Sequence, residues 1–127
     1  MKKIISLICT GLLMVLILTG CTSKKVKLNL ADMQGPDAKI SLDGKEYSKN
    51  KEEFFKLLEN VENYKGSSVN ETPVNIDNYH TFVIGDAGKE KYLHLYTKKN
   101  IGRKYYIEIP YEGIWEIDQN LYEKLID

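Results

Sequence analysis

An α+β domain is the fold class this sequence predicts: an antiparallel sheet of about four to five strands, one main helix packed on a face, and a short C-terminal helix. Three observations carry that expectation. Phe54, Leu57, Leu58, Val61 and Tyr64 recur at helical spacing and form one apolar stripe. Later stretches, over residues 79–84, 91–97 and 103–109, are rich in β-branched and aromatic residues and alternate with period two. These strands do not take turns with helices, as a parallel β-α-β sheet would require, so the sheet is expected to be antiparallel.

Each element has its own signal. Residues 39–47 read as a β-hairpin, with Ile40 and Leu42 alternating with polar neighbours around Asp43-Gly44, a favoured two-residue turn pair. Asn50 caps the main helix and Glu53, three residues on, completes a capping box. That helix is expected to run to about Tyr64 and stop near Gly66. Residues 67–78 are a polar loop carrying Pro73, with a short extended piece at 74–76. The strand over 79–84 closes in Gly85-Asp86-Ala87-Gly88, and residues 91–97 answer it. There Leu93 and Leu95 take one face, and Tyr92, His94 and Tyr96 the other. Asn100-Ile101-Gly102 turns the chain into 103–109, where Tyr105, Ile107 and Ile109 oppose Lys104, Tyr106 and Glu108. Pro110 ends that strand because it has no N–H for a ladder. Residues 114–117 add a short strand, and Asp118 caps a C-terminal helix over 119–126 that buries Leu121, Tyr122 and Leu125.

The N-terminus reads as an export address. Met1-Lys2-Lys3 is cationic, residues 4–18 are almost unbroken apolar, and Leu18-Thr19-Gly20-Cys21 places small residues directly before a cysteine. The apolar run is shorter than the roughly 20 residues a spanning helix needs. The stretch resembles the bacterial lipobox, in which that cysteine receives a diacylglyceryl group. The resemblance implies cleavage of residues 1–20, a lipidated Cys21 followed by a tether over 21–36, and a single extracytoplasmic domain over 37–127. Two acyl chains are enough for stable anchoring, so the expected place is the outer face of the cell membrane. Lys24, Lys25 and Lys27 follow at once; they are either a polybasic aid to anchoring or a solvated linker. Val26, Leu28 and Leu30 alternate and offer an edge strand.

Composition narrows the chemistry. Losing 20 of 127 residues leaves 107, one domain, and losing Lys2 and Lys3 leaves 16 basic against 18 acidic residues, a net of −2. Nucleic acid is therefore not an expected partner, since phosphate binding needs a clustered basic excess. Cys9 falls in the discarded segment and Cys21 carries lipid, so no thiol is left for a disulfide, a metal or a nucleophile.

Catalytic constellations are weak. His80 and His94 are the only imidazoles, and Glu108 on the next strand offers a third ligand or an acid–base partner. The plainer reading is that they are half-exposed strand residues. Ser41, Ser48, Ser67 and Ser68 sit outside any nucleophile-elbow pattern. Gly85-Asp86-Ala87-Gly88-Lys89 lacks the spacing of a phosphate loop. Asp37, Asp43, Asp77 and Asp86 belong to separate turns and form no calcium loop. Asn70-Glu71-Thr72 matches a glycosylation acceptor that a bacterial lipoprotein would rarely use. No catalytic residue, metal ligand or cofactor is assigned.

Aromatic residues are the stronger signal. Tyr92, Tyr96, Tyr105, Tyr106, Tyr111, Trp115 and Tyr122 crowd the C-terminal part of the chain. The alternation puts Tyr92, His94, Tyr96, Tyr106 and Glu108 on the sheet face away from the helix. Tyrosine combines a rigid apolar body with a polar tip, so this face is a candidate surface for a protein, peptide or glycan. The competing reading is strand propensity alone.

Residues 104–118, Lys-Tyr-Tyr-Ile-Glu-Ile-Pro-Tyr-Glu-Gly-Ile-Trp-Glu-Ile-Asp, carry a second resemblance. The segment is similar to one in small lipoproteins of Gram-positive bacteria that hold a C-terminal domain of unknown function, the family numbered 5301. There a Tyr-Tyr-Ile-Glu-x-Pro-Tyr-x-Gly-Ile-Tyr-x-Ile run closes the domain before a short helix. Similar tails occur on membrane sensors with an antirepressor-type metallopeptidase region. The likeness spans roughly residues 79–125, with Trp115 standing in place of tyrosine. It implies an extracytoplasmic binding or sensing domain and brings no catalytic residues. The expectation is thus a lipid-anchored, non-enzymatic binding, sensing or inhibitor/immunity-type module. A small envelope enzyme using His80, His94 and Glu108, and a structural spacer, are the alternatives.

Overall fold

A computed structural model describes residues 24–69, 74–86, 88–99 and 102–127. The export signal and Cys21 lie outside these residues, as do Asn70-Glu71-Thr72, Pro73, Ala87 and Asn100-Ile101. The elements are a 3-10 turn (Ala31–Met33), β1 (Lys39–Leu42), β2 (Lys45–Glu46), α1 (Lys51–Leu58), β3 (Tyr64–Gly66), β4 (Ile76–Asp86), β5 (Lys89–Lys98), β6 (Lys104–Ile109), β7 (Gly113–Ile117) and α2 (Gln119–Ile126). They form one antiparallel sheet in the order β2-β1-β4-β5-β6-β7-β3, with helices α1 and α2 sharing one core with it.

Local chemistry explains most of this. Asp43 and Gly44 both take positive φ, 50° and 81°, the two left-handed positions of a hairpin turn that joins β1 to β2. The Asn50 side chain accepts from the Glu53 N–H at 2.8 Å, and the Asp118 side chain from the Leu121 N–H at 2.7 Å, capping both helices. Phe82 and Ile84 of β4, Leu93 and Leu95 of β5, and Ile107 and Ile109 of β6 are buried toward Phe54, Leu58, Tyr122 and Leu125 of the helices. Phe54 meets Tyr47 edge-on at 5.5 Å and lies 5.2 Å from Phe82. The Tyr47 hydroxyl donates to the Leu125 carbonyl at 2.7 Å, tying the hairpin to the end of α2. Burial, with a smaller push from Glu53, raises the Tyr47 phenol to about 12.

Three expectations are corrected. The sheet has seven strands, not four or five, because both arms of the 39–47 hairpin join it and β3, three residues long, leaves no periodic trace. The main helix stops at Leu58. Val61 and Tyr64 do reach the core, but from a turn and from β3. Pairing with β7 won over helix continuation, since the Glu116 N–H bonds the Asn63 carbonyl and Tyr64 stands opposite Trp115.

The third correction concerns the tether. Lys25 bridges Asn63, and the Val26 and Leu28 N–H groups bond the carbonyls of Glu62 and Val61. The Trp115 indole N–H donates to the Val26 carbonyl at 2.6 Å. Leu28, Leu30 and Met33 join the core. Of the two readings of this stretch, tether or edge strand at Val26, Leu28 and Leu30, the edge pairing is the one found from Lys25 onward.

Candidate functional site

The sheet face away from the helices carries the predicted aromatic set. Cross-strand register confirms the shared face: Tyr92 opposes Val83, His94 opposes Thr81 and Glu108, and Tyr96 opposes Tyr106. Their exposure divides them sharply. Tyr96 and Glu108 are buried, at 0% and 3% exposure, whereas Tyr92 is 47% exposed and His94 and Tyr106 are half-buried.

Burial of Tyr96 and Glu108 comes from Ser68, beyond the end of β3, and from Tyr79 of β4. Ser68, in the segment after β3, donates to one Glu108 carboxylate oxygen at 2.5 Å, and the Tyr96 hydroxyl donates to the other at 3.1 Å. Tyr79 then stacks on Tyr96 at 6.3 Å and on His94 at 5.1 Å, and Tyr96 stacks on Tyr106 at 5.7 Å. Lys98 caps the row over the Tyr106 ring at 5.3 Å. Burial, reinforced by the Glu108 charge, pushes the Tyr96 phenol far up. His94 is held below its ordinary value by burial, which outweighs the opposing pull of Glu108. Much of the predicted patch is therefore a closed aromatic and carboxylate cluster, with Tyr92 and His94 at its open end.

A groove of about 500 Å³ opens there, lined by Glu90, Lys91, Tyr92, His94, Ile109, Pro110 and Tyr111. Tyr111 is 76% exposed and takes φ of 65°, a left-handed conformation costly for a bulky residue. Lys91 bridges Glu112 at 2.6 Å and Asp32 at 3.6 Å, fixing the turn that carries Tyr111 to the strand that carries Tyr92. A larger groove, about 700 Å³, lies beside β1 and β2. Its wall mixes Lys39, Lys49 and Lys51 with Glu46, Asp86 and Glu90, the composition of a solvated charged surface.

The two histidines part company. His80 stands opposite Leu95 on the helix side, 2.7 Å from the Asp43 carboxylate and near the Tyr122 ring. His94 is on the other face, 3.0 Å from the Thr81 hydroxyl. Burial works against ionisation of Asp43, but bonds from His80 and the Thr81 N–H prevail and lower it. His80, His94 and Glu108 thus do not converge. Among the described residues, no group of three or more His, Cys, Asp or Glu side chains is placed to hold a metal ion.

Sequence reasoning left Tyr79, Ser68 and the position of Tyr111 out of the site. Tyr79 is set by an irregular register between Asp77 and His80, where Asn78 has φ of 49°. Alternation over 79–84 nonetheless groups Tyr79 with Thr81 and Val83, away from Phe82 and Ile84, so its face was legible. Ser68 acts across 40 residues and has no local signal. Tyr111 did have one: a bulky residue between Pro110 and Glu112-Gly113 sits where the reversal needs a left-handed residue.

A sheet-dominated α+β domain with two helices and an aromatic cluster opposite them is the class these features define. The family model DUF5301, described as "Domain of unknown function (DUF5300)", matches residues 32–116, and the chain belongs to that family. The match starts in the 3-10 turn and ends in β7, so it takes in the whole sheet and the groove. No curated protein and no solved structure matched the chain.

Proposed function

We propose that this protein is a lipid-anchored extracytoplasmic module, not an enzyme, that binds an envelope protein or peptide in the groove between Tyr92 and Tyr111. The observation that carries the reading is Tyr111, a bulky side chain that is 76% exposed on a left-handed backbone. Strain of this kind costs on the order of 1–3 kcal/mol and persists where the surrounding structure over-determines it, often at binding sites. Packing of Tyr111 in the core does not explain it. Tyr92 supplies a second rigid aromatic wall and His94 a polar group beside it, a combination suited to a peptide anchor. The stacked cluster behind them supports the wall. An inhibitor or immunity-type role fits the same surface.

Membrane attachment rests on residues 1–21: the cationic start, the short apolar run and Leu-Thr-Gly-Cys. Cys21→Ala should leave unprocessed, unlipidated precursor; lipid on the variant protein would sink the anchor. The binding reading is tested by a photoreactive residue at Tyr111 in intact cells, with Lys45 on the far edge as control. One recurring adduct at position 111 that disappears in Tyr92→Ala is expected. Equal recovery from both positions refutes the groove.

A further inference from the structure

The folded N-terminal segment sets where the domain sits. A free tether from Cys21 to Pro36 would reach up to about 50 Å, far beyond the field of a charged membrane. Lys24 already lies over the Tyr64 ring at 5.3 Å, and Lys25 is paired with Asn63. Between Cys21 and Lys24 there are three peptide steps, at most roughly 11 Å. That length is close to the ~8–10 Å Debye length of physiological salt, within which lysines feel anionic headgroups.

The edge nearest that anchor point is basic. Lys24, Lys25 and Lys27 are exposed, and Lys65 lies beside them on β3. Lys25 has only a solvent-exposed contact with Glu62 at 3.8 Å, and Lys65 pairs with Glu116 at 3.1 Å. Lys24 and Lys27 have no carboxylate within bonding distance among the described residues. A mature chain of net charge −2 (16 basic, 18 acidic residues) therefore concentrates cations on the edge where its lipid enters.

We propose that the domain lies against an anionic lipid surface through the edge formed by residues 24–27 and 62–65. This rests on the reading that Cys21 is lipidated. The β2 edge is six strand spacings from β3, about 29 Å, and stands clear of the membrane. The module is thus held at the bilayer in one orientation, and its partner is met at the membrane surface.

The test uses the mature chain from Cys21 with a phospholipid coupled to that thiol, so that orientation is measured whether or not cells lipidate it. Benzoylphenylalanine replaces Lys27 or Lys45, and lipid adducts are read by mass spectrometry on phosphatidylglycerol-rich vesicles. Adducts at position 27 and not at 45 are expected. The combined variant Lys24→Gln, Lys25→Gln and Lys27→Gln should lower vesicle partitioning of the chain without coupled lipid by about fivefold per lysine, on the order of 100-fold in all. Equal or absent adducts at both positions overturn the orientation. So does capture at position 27 of protein but no lipid in cell membranes. The mass of the Cys21 peptide from cells decides the anchor separately; an unmodified cysteine there overturns the anchor and this arrangement with it.

Discussion

Replacing Tyr111 by Gly and, separately, by Ala isolates the backbone strain from the side chain. Tyr111 is 76% exposed, so about a quarter of its surface is covered. A tyrosine offers roughly 200 Å² to bury, so about 50 Å² is at stake, or about 1.2 kcal/mol at ~25 cal/mol per Å². Both variants lose that. Ala keeps the left-handed conformation at φ of 65°, whereas Gly adopts it freely and recovers about 1–2 kcal/mol. Against this, Gly adds about 0.4–1 kcal/mol of unfolded-state entropy. Gly should therefore come out more stable than Ala by roughly 0.5–1 kcal/mol, and within about 1 kcal/mol of the parent. Urea unfolding of lipid-free protein measures this directly, because Trp115 is the single tryptophan and is buried at 3% exposure. An Ala variant as stable as Gly, or a Gly variant that loses 2 kcal/mol or more, would show that Tyr111 serves packing and would remove the reason to place a ligand there.

Leu58, 2% exposed beneath the sheet, should cost about 2–5 kcal/mol as Leu58→Ala; a loss well under 1 kcal/mol in the same assay contradicts the core assignment. Ser68→Ala removes one of the two hydroxyls on buried Glu108 and should cost about 1–3 kcal/mol, with faster hydrogen exchange at the end of β3; no change in either means the segment is not latched there. His94 titrates below its ordinary value in the folded protein, so the unfolded chain binds the proton first as pH falls. Stability should be full above about pH 6.5 and decline through the region below it, and His94→Gln should flatten that slope. An unchanged slope in the variant assigns the pH dependence to other groups.

Local signals carried much of the fold. Turn chemistry at Asp43-Gly44, caps at Asn50 and Asp118, and alternation through residues 91–109 act between near neighbours, so they can be read from a line of residues. The alternation also placed Tyr92, His94, Tyr96, Tyr106 and Glu108 on one face, where register puts them. It could not distinguish an open face from a covered one, because Ser68 reaches Glu108 across 40 residues of sequence and Tyr79 stacks on Tyr96 from the neighbouring strand.

The same division separates the rest of the molecule. Sequence alone determined the class of fold, both helix starts and the strand faces, since each depends on residue type and spacing. Tertiary structure decided that α1 ends at Leu58, because Asn63 and Tyr64 gain more by pairing with β7 than by extending the helix. Cross-strand register also shows that His80 and His94 lie on opposite faces, since His80 stands opposite Leu95 with the core and His94 opposite Thr81. Most consequentially, the tertiary structure drew Leu28, Leu30 and Met33 into the core, since the Val26 and Leu28 N–H groups find their acceptors only at Glu62 and Val61, more than 30 residues on.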